Sequence, residues 1–149
     1  MTQDASGQMS TPQGVGWVIN DFAASTPGVS DALLVSSDGL TLLASTGLGK
    51  DLSDPLSAAT SGLLSLANDI GIRTGRGGCD QVLLRLEQGN FLFMGIGQLA
   101  GLAVLVEAGA NLGAVAHRMA QLVDSVGHAL TPQLRNDLRN YAHELGGTS

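Results

Sequence analysis

The residues best equipped for chemistry in this chain are few, and their spacing decides what each can do. Gly95-Ile96-Gly97-Gln98-Leu99-Ala100 reproduces a dinucleotide-binding glycine pattern with alanine in its last position. That pattern cradles a pyrophosphate only where a strand precedes it and a helix follows, so that the helix N-terminus meets the charge. Here an apolar, strand-like run follows, Leu99 to Val106, and the glycines read as a turn with close backbone packing between strands. Gly47-Leu48-Gly49-Lys50 hints at a phosphate loop, yet Asp51 stands where Ser or Thr would hold magnesium and Ala44 where the first glycine belongs. His117, His128 and His143 lack the i, i+4 pairing or cysteine company of a metal site and read as solvated helix residues. Cys79 has no base beside it in sequence, and no serine sits in a nucleophile elbow. Arg73 and Arg76 are the residues a nucleotide hydrolase could borrow, but in a glycine-rich loop they read as solvated charges. Asp51 and Asp54 serve the start of a helix. No catalytic residue, metal ligand or cofactor is expected, and the chain reads as a protein that works by binding.

Composition narrows what it binds. At 149 residues the chain is one domain with a real core. Hydrophobic residues make up 44% but aromatics only 3%, so Leu, Val, Ala and Ile must fill that core. A net charge of -6 with 13% charged residues leaves little cationic surface, which excludes a nucleic-acid backbone as partner. Cys79 is the only cysteine, so no internal disulfide forms, which fits a reducing, cytoplasmic setting. Residues 1–10 are polar and lack the regions of a signal peptide, and are expected to be a disordered tail. The longest apolar run, Leu99 to Val106, is far short of the roughly 20 residues that span a bilayer. Membrane insertion is not expected, and any membrane recruitment would come through a partner.

The elements that must position the binding surface follow from caps and periodicity. Thr11-Pro12 is an N-cap with proline at the first helical position, followed by Val15, Val18, Ile19 and Phe22 at helical spacing. Val29 to Ser36 is strand-like, Asp38-Gly39 supplies the φ > 0 pair of a tight hairpin, and Leu40 to Ser45 returns. Asp54-Pro55 repeats the cap signature for a second helix, on which Leu52, Leu56, Ala59, Leu63, Leu66 and Ile70 form a short seam. The seam either covers a sheet or pairs with another helix. A second hairpin joins Gln81–Glu87 to Phe91–Ile96 through Gly89-Asn90. Gln81, Arg85 and Glu87 alternate with apolar residues as at a sheet edge, whereas Leu99 to Val106 is apolar throughout, as in a central strand. Asn111 caps a third helix with the stripe Leu112, Val115, Ala116, Met119, Leu122, Val123 and Val126. Thr131-Pro132 starts an amphipathic tail helix carrying Leu134, Leu138, Tyr141 and Leu145, giving a domain over 11–130 and a tail over 131–149.

With this order of elements, the chain resembles the roadblock family, in its bacterial branch related to dynein light chains and to gliding-motility regulators of a Ras-like GTPase. The resemblance rests on Trp17-Val18-Ile19-Asn20-Asp21-Phe22, Pro27-Gly28-Val29 and Leu34-Val35-Ser36-Ser37-Asp38-Gly39-Leu40. Ala58 to Ala67 and Asn111 to Met119 also carry it. It implies an α+β, profilin-like domain: a five-stranded antiparallel sheet with helix two on one face and helices one and three on the other. It further implies a homodimer joined at the third strand of each subunit, through Val82, Leu84 and Leu86, with the two second helices side by side through Ala59, Leu63, Leu66 and Ile70. In actinobacterial relatives the domain accompanies a Ras-like GTPase and a sensor-kinase-like protein. The resemblance therefore implies a non-enzymatic regulator or scaffold that meets such a GTPase through helix two, at Ser57, Ser61, Leu64, Ser65 and Asn68. A scaffold without effect on GTP turnover is one alternative. A small-ligand sensor is another; it would require a polar-lined pocket, and no convergent polar cluster is evident in the sequence.

Overall fold

The computed structural model describes residues 11–98 and 100–147; the expected N-terminal tail and Leu99 lie outside them. In chain order the elements are α1 (Pro12–Ser25), β1 (Val29–Ser36), β2 (Thr41–Ala44), α2 (Lys50–Arg73), β3 (Gln81–Leu86), β4 (Gly89–Ile96), β5 (Ala100–Glu107), α3 (Leu112–Ala129) and α4 (Pro132–Gly147). The strands form one antiparallel sheet in the order β2-β1-β5-β4-β3. The wholly apolar run becomes its central strand β5, paired on one side with β1, Val29 opposite Val106, and on the other with β4.

Side-chain caps set where three of the helices begin. Thr11 accepts the Gly14 N–H at 3.1 Å, Asn111 the Ala114 N–H at 3.1 Å and Thr131 the Leu134 N–H at 3.0 Å, each satisfying a donor the helix cannot. On one face of the sheet α1, α3 and α4 pack together: Val15, Ile19, Val115, Met119, Leu134 and Leu138 share a buried cluster with Leu34, Leu102 and Val104. The tail helix therefore docks on the body, against α1 and β2. On the other face lies α2 alone, its Leu56, Leu63 and Leu64 resting on Leu33, Val35, Phe91, Phe93 and Ala103.

Three local expectations give way to tertiary structure. Helix α2 starts before Asp54-Pro55: Gly49 is its N-cap, Leu52 and Ser53 N–H groups bond to the Gly49 carbonyl at 3.1 and 2.9 Å, and Pro55 lies inside. Lys50 and Asp54 close that first turn with a 2.6 Å ion pair, while the proline forfeits a single backbone bond. In the first hairpin only Gly39 has a positive φ, +87°, and Asp38 does not. The loop is longer than expected, Ser36 and Leu40 closing it with a 2.9 Å backbone bond. In the second hairpin the turn is Glu87-Gln88, with Leu86 opposite Gly89. Pairing Phe91 with Leu84 and Phe93 with Val82 puts both rings on the α2 face, and that burial fixes the register.

Candidate functional site

The apolar seam of α2 splits between inside and outside. Its sheet-facing side is largely hydroxylated: Ser53, Ser57 and Thr60 are buried. Two of these buried hydroxyls have visible partners. Ser57 Oγ lies 2.7 Å from Thr41 Oγ1, and Thr60 donates to the Leu56 carbonyl at 2.7 Å. Leu63 is half-buried with them, but Leu52, Ala59, Leu66 and Ile70 are exposed, Leu66 and Ile70 at 67% and 65%. Ile72, which periodicity did not single out, is exposed as well.

The edge strand β3 presents the second half of this surface. Val82 is half-buried in the α2-side core, while Leu84 and Leu86, on the same face by alternation, are exposed at 37% and 57%. Leu83 points to the opposite face and is also exposed. Within the described chain, β4 is the only strand bonded to β3, so the outer backbone groups of β3 have no sheet partner.

The residues expected to meet a partner occupy different depths. Ser57 is fully buried and bonded to Thr41, so it is a packing residue and not a surface one; this corrects the expectation. Ser61 is half-buried beneath the first hairpin, where a Cβ on Gly39 would come within 3.1 Å of its own. Leu64 is half-buried in the core, Ser65 is exposed, and Asn68 is half-buried, its Oδ1 accepting the Cys79 N–H at 2.6 Å.

Ser61, Leu64, Ser65 and Asn68 also line one wall of a cleft of about 710 Å³ between α2 and the sheet. Ser37, Cys79, Asp80 and Gln98 complete its rim, and Val35 and Phe93 its floor. The cleft's lining mixes polar and apolar groups, drawn from segments far apart in sequence that no local pattern brings together.

The motifs with catalytic overtones fall elsewhere. Gly95 to Ala100 spans the β4–β5 turn, strand to strand. Gly49 and Lys50 begin α2. His117 and His128 are exposed, as are Arg73 and Arg76, and Arg73 pairs with Asp69 at 2.7 Å. The Cys79 thiol is half-buried and donates to the Gln81 carbonyl at 3.1 Å. Among the described residues no group of His, Cys, Asp or Glu side chains is arranged to hold a metal. Two carboxyls sit below their ordinary range: Asp38, through hydrogen bonds from Ser36 and then Arg139, and Asp54, through its bond from Lys50 and then Thr41. Asp38 lies in the first hairpin and Asp54 in the opening turns of α2.

A model of the Roadblock/LC7 domain matches residues 15–106, from α1 almost to the end of β5. The chain belongs to the Roadblock/LC7 family. A Roadblock/LC7 domain from Streptomyces avermitilis is 34% identical, covers 74% of this chain and 92% of its own, and superposes with a TM-score of 0.70. MglB of Myxococcus xanthus superposes at 0.71 with 14% identity, over 76% of this chain and 92% of its own. A Schizosaccharomyces pombe profilin follows at 0.57 with 16% identity, over 73% and 93%. The last two likenesses show the fold alone, and they bear out the profilin-like architecture. No curated protein sequence matches the chain. The exposed apolar residues of α2 and β3 all lie within the Roadblock/LC7 match, whereas α3 and α4 lie beyond it.

Proposed function

We propose that this Roadblock/LC7 chain is a non-enzymatic, cytoplasmic homodimer that binds a small Ras-like GTPase and regulates or scaffolds it. The observation that carries the reading is the unpaired β3 edge with exposed Leu84 and Leu86, on the sheet face where α2 exposes Ala59, Leu66 and Ile70. An edge strand bearing leucines is a template for pairing, and pairing with its own copy satisfies the edge and the apolar surface by one two-fold operation. Val82 and Leu63, half-buried in the single chain, lie at the margin of that interface. The family's association with Ras-like GTPases supplies the partner class, and Ser61, Leu64, Ser65 and Asn68 on α2 are the residues assigned to it.

Two measurements test the reading. Sedimentation at micromolar concentration is expected to give twice the chain's 15.2 kDa; a mass of one chain overturns the dimer. Added to a Ras-like GTPase, the protein is expected to bind through α2, and Ser65→Arg on the exposed wall is expected to abolish binding while leaving the dimer intact. Binding with unchanged GTP hydrolysis selects the scaffold, in which a sensor-kinase-like protein is the other partner; no binding to any such GTPase removes the partner class.

A further inference from the structure

The cleft between α2 and the sheet has a lining of definite chemistry. Its volume of about 710 Å³ falls in the range of small-molecule sites. Its floor is held in place. The Phe93 ring lies so close over Gly101 that a Cβ there would stand 2.0 Å from the ring, so the bare glycine is what lets the aromatic lie down on β5. The wall on α2 is made of short polar side chains at Ser61 and Ser65, one helical turn apart, with Leu64 between them facing the core.

Two rim groups are already committed, Asn68 to the Cys79 N–H at 2.6 Å and the Ser36 hydroxyl to Asp38. That leaves the Asn68 Nδ2 donors, the hydroxyls of Ser37, Ser61 and Ser65 and the Gln98 amide as donors and acceptors around the opening. Among the described lining residues the only ionisable carboxylate is Asp80, and no Lys, Arg or His is present. An anion would enter without a countercharge and against a carboxylate, which is unfavourable in a partly desolvated site. An aliphatic chain would leave the hydroxyls unpaired.

From this geometry we infer that the cleft is a binding site for a small uncharged molecule that combines an apolar body with hydroxyl or amide groups. The apolar body lies over the floor of Val35 and Phe93, and the polar groups meet Ser61, Ser65 and Gln98. The site shares Ser61, Leu64, Ser65 and Asn68 with the surface proposed for the GTPase, so an occupant would compete with that partner for the same side chains.

The test uses the full chain alone, which separates it from any failure of the partner assignment. A set of neutral, hydroxyl-bearing aromatic fragments and their carboxylate analogues is titrated into the ¹⁵N-labelled protein. Neutral fragments are expected to shift the amides of Gly78, Cys79, Gly97 and Gly101 together, with the carboxylates at least about tenfold weaker. Ser65→Phe is expected to fill the cleft and abolish the shifts, and Gln98→Ala, on an exposed turn, to weaken them in a chain whose remaining spectrum is unchanged. The proposal is overturned if no neutral fragment moves these amides, if the carboxylates bind equally well, or if the folded Ser65→Phe and Gln98→Ala proteins both bind as the parent does.

Discussion

The two edges of the sheet are built on opposite plans. At β2 the strand is four residues long, its Leu42 is fully buried, and α4 lies against it with Leu134 and Leu138 in the same core. Arg139 of α4 reaches Asp38 at the tip of the neighbouring hairpin. At β3 the strand is six residues long, and Leu83, Leu84 and Leu86 are exposed. One edge is covered within the chain and the other is bare. The contrast teaches that a terminal helix decides which edge is covered: α4 is spent on β2, where only Leu40 at the hairpin stays exposed, while β3 keeps three bare leucines; Trp17 on α1 is exposed apart from both edges.

Breaking the finished edge carries the largest expected effect. Leu138→Ala removes a fully buried side chain and leaves a cavity under β2, so about 2–5 kcal/mol of stability should disappear in a denaturant titration, with the assembly's mass unchanged. At the open edge the pattern should invert. Leu84→Asp places a charge on an exposed residue, so the fold should tolerate it, while self-association weakens by about 2 kcal/mol or more, roughly thirtyfold, in sedimentation. A dimer that survives this substitution moves the interface away from β3. Between the edges, Gly101→Ala drives a methyl into the Phe93 ring and should cost about 1–3 kcal/mol, read as a lower Tm.

The smallest effect sits on the ion pair that ties α4 to the first hairpin. Ser36 and Arg139 hold the Asp38 carboxyl below its ordinary value, so its ionised form favours the folded state. That contribution is complete above about pH 4, where the unfolded carboxyl is ionised, and is lost as pH falls through the lowered folded value. The pair is partly exposed, so Asp38→Asn should cost less than about 1 kcal/mol at neutral pH and flatten this acid limb of the stability curve.

Much of this arrangement is written in local residue patterns. The Thr11, Asn111 and Thr131 caps, the apolar central strand and the alternating edge of β3 all rest on chemistry within a few residues of themselves, and they were legible. The faces of α2 were not. Periodicity marks Leu52, Leu56, Ala59, Leu63, Leu66 and Ile70 as one stripe; Leu56 and Leu63 do rest on the sheet, but Ser53, Ser57 and Thr60 turn inward beside them, and Ser57 can do so only because Thr41, on another element, meets its hydroxyl. The start of α2 was hidden for a related reason: Asp54-Pro55 is a strong cap signal, overridden by the turn that Lys50 closes. The cleft draws on α2, the β4–β5 turn and the approach to β3, which no sequence window contains together.

The pairing of Val29 with Val106 also orders events in time. As the chain leaves the ribosome, the β1–β2 and β3–β4 hairpins can close locally, but β1 and β4 each wait for β5 to fill the place between them. Until β5 is made, the β3–β4 pair has no neighbour in the sheet, and β3 carries leucines on both faces. An order of synthesis in which β5 follows β3 thus leaves the strand proposed for self-association without a covered sheet behind it until β5 is made.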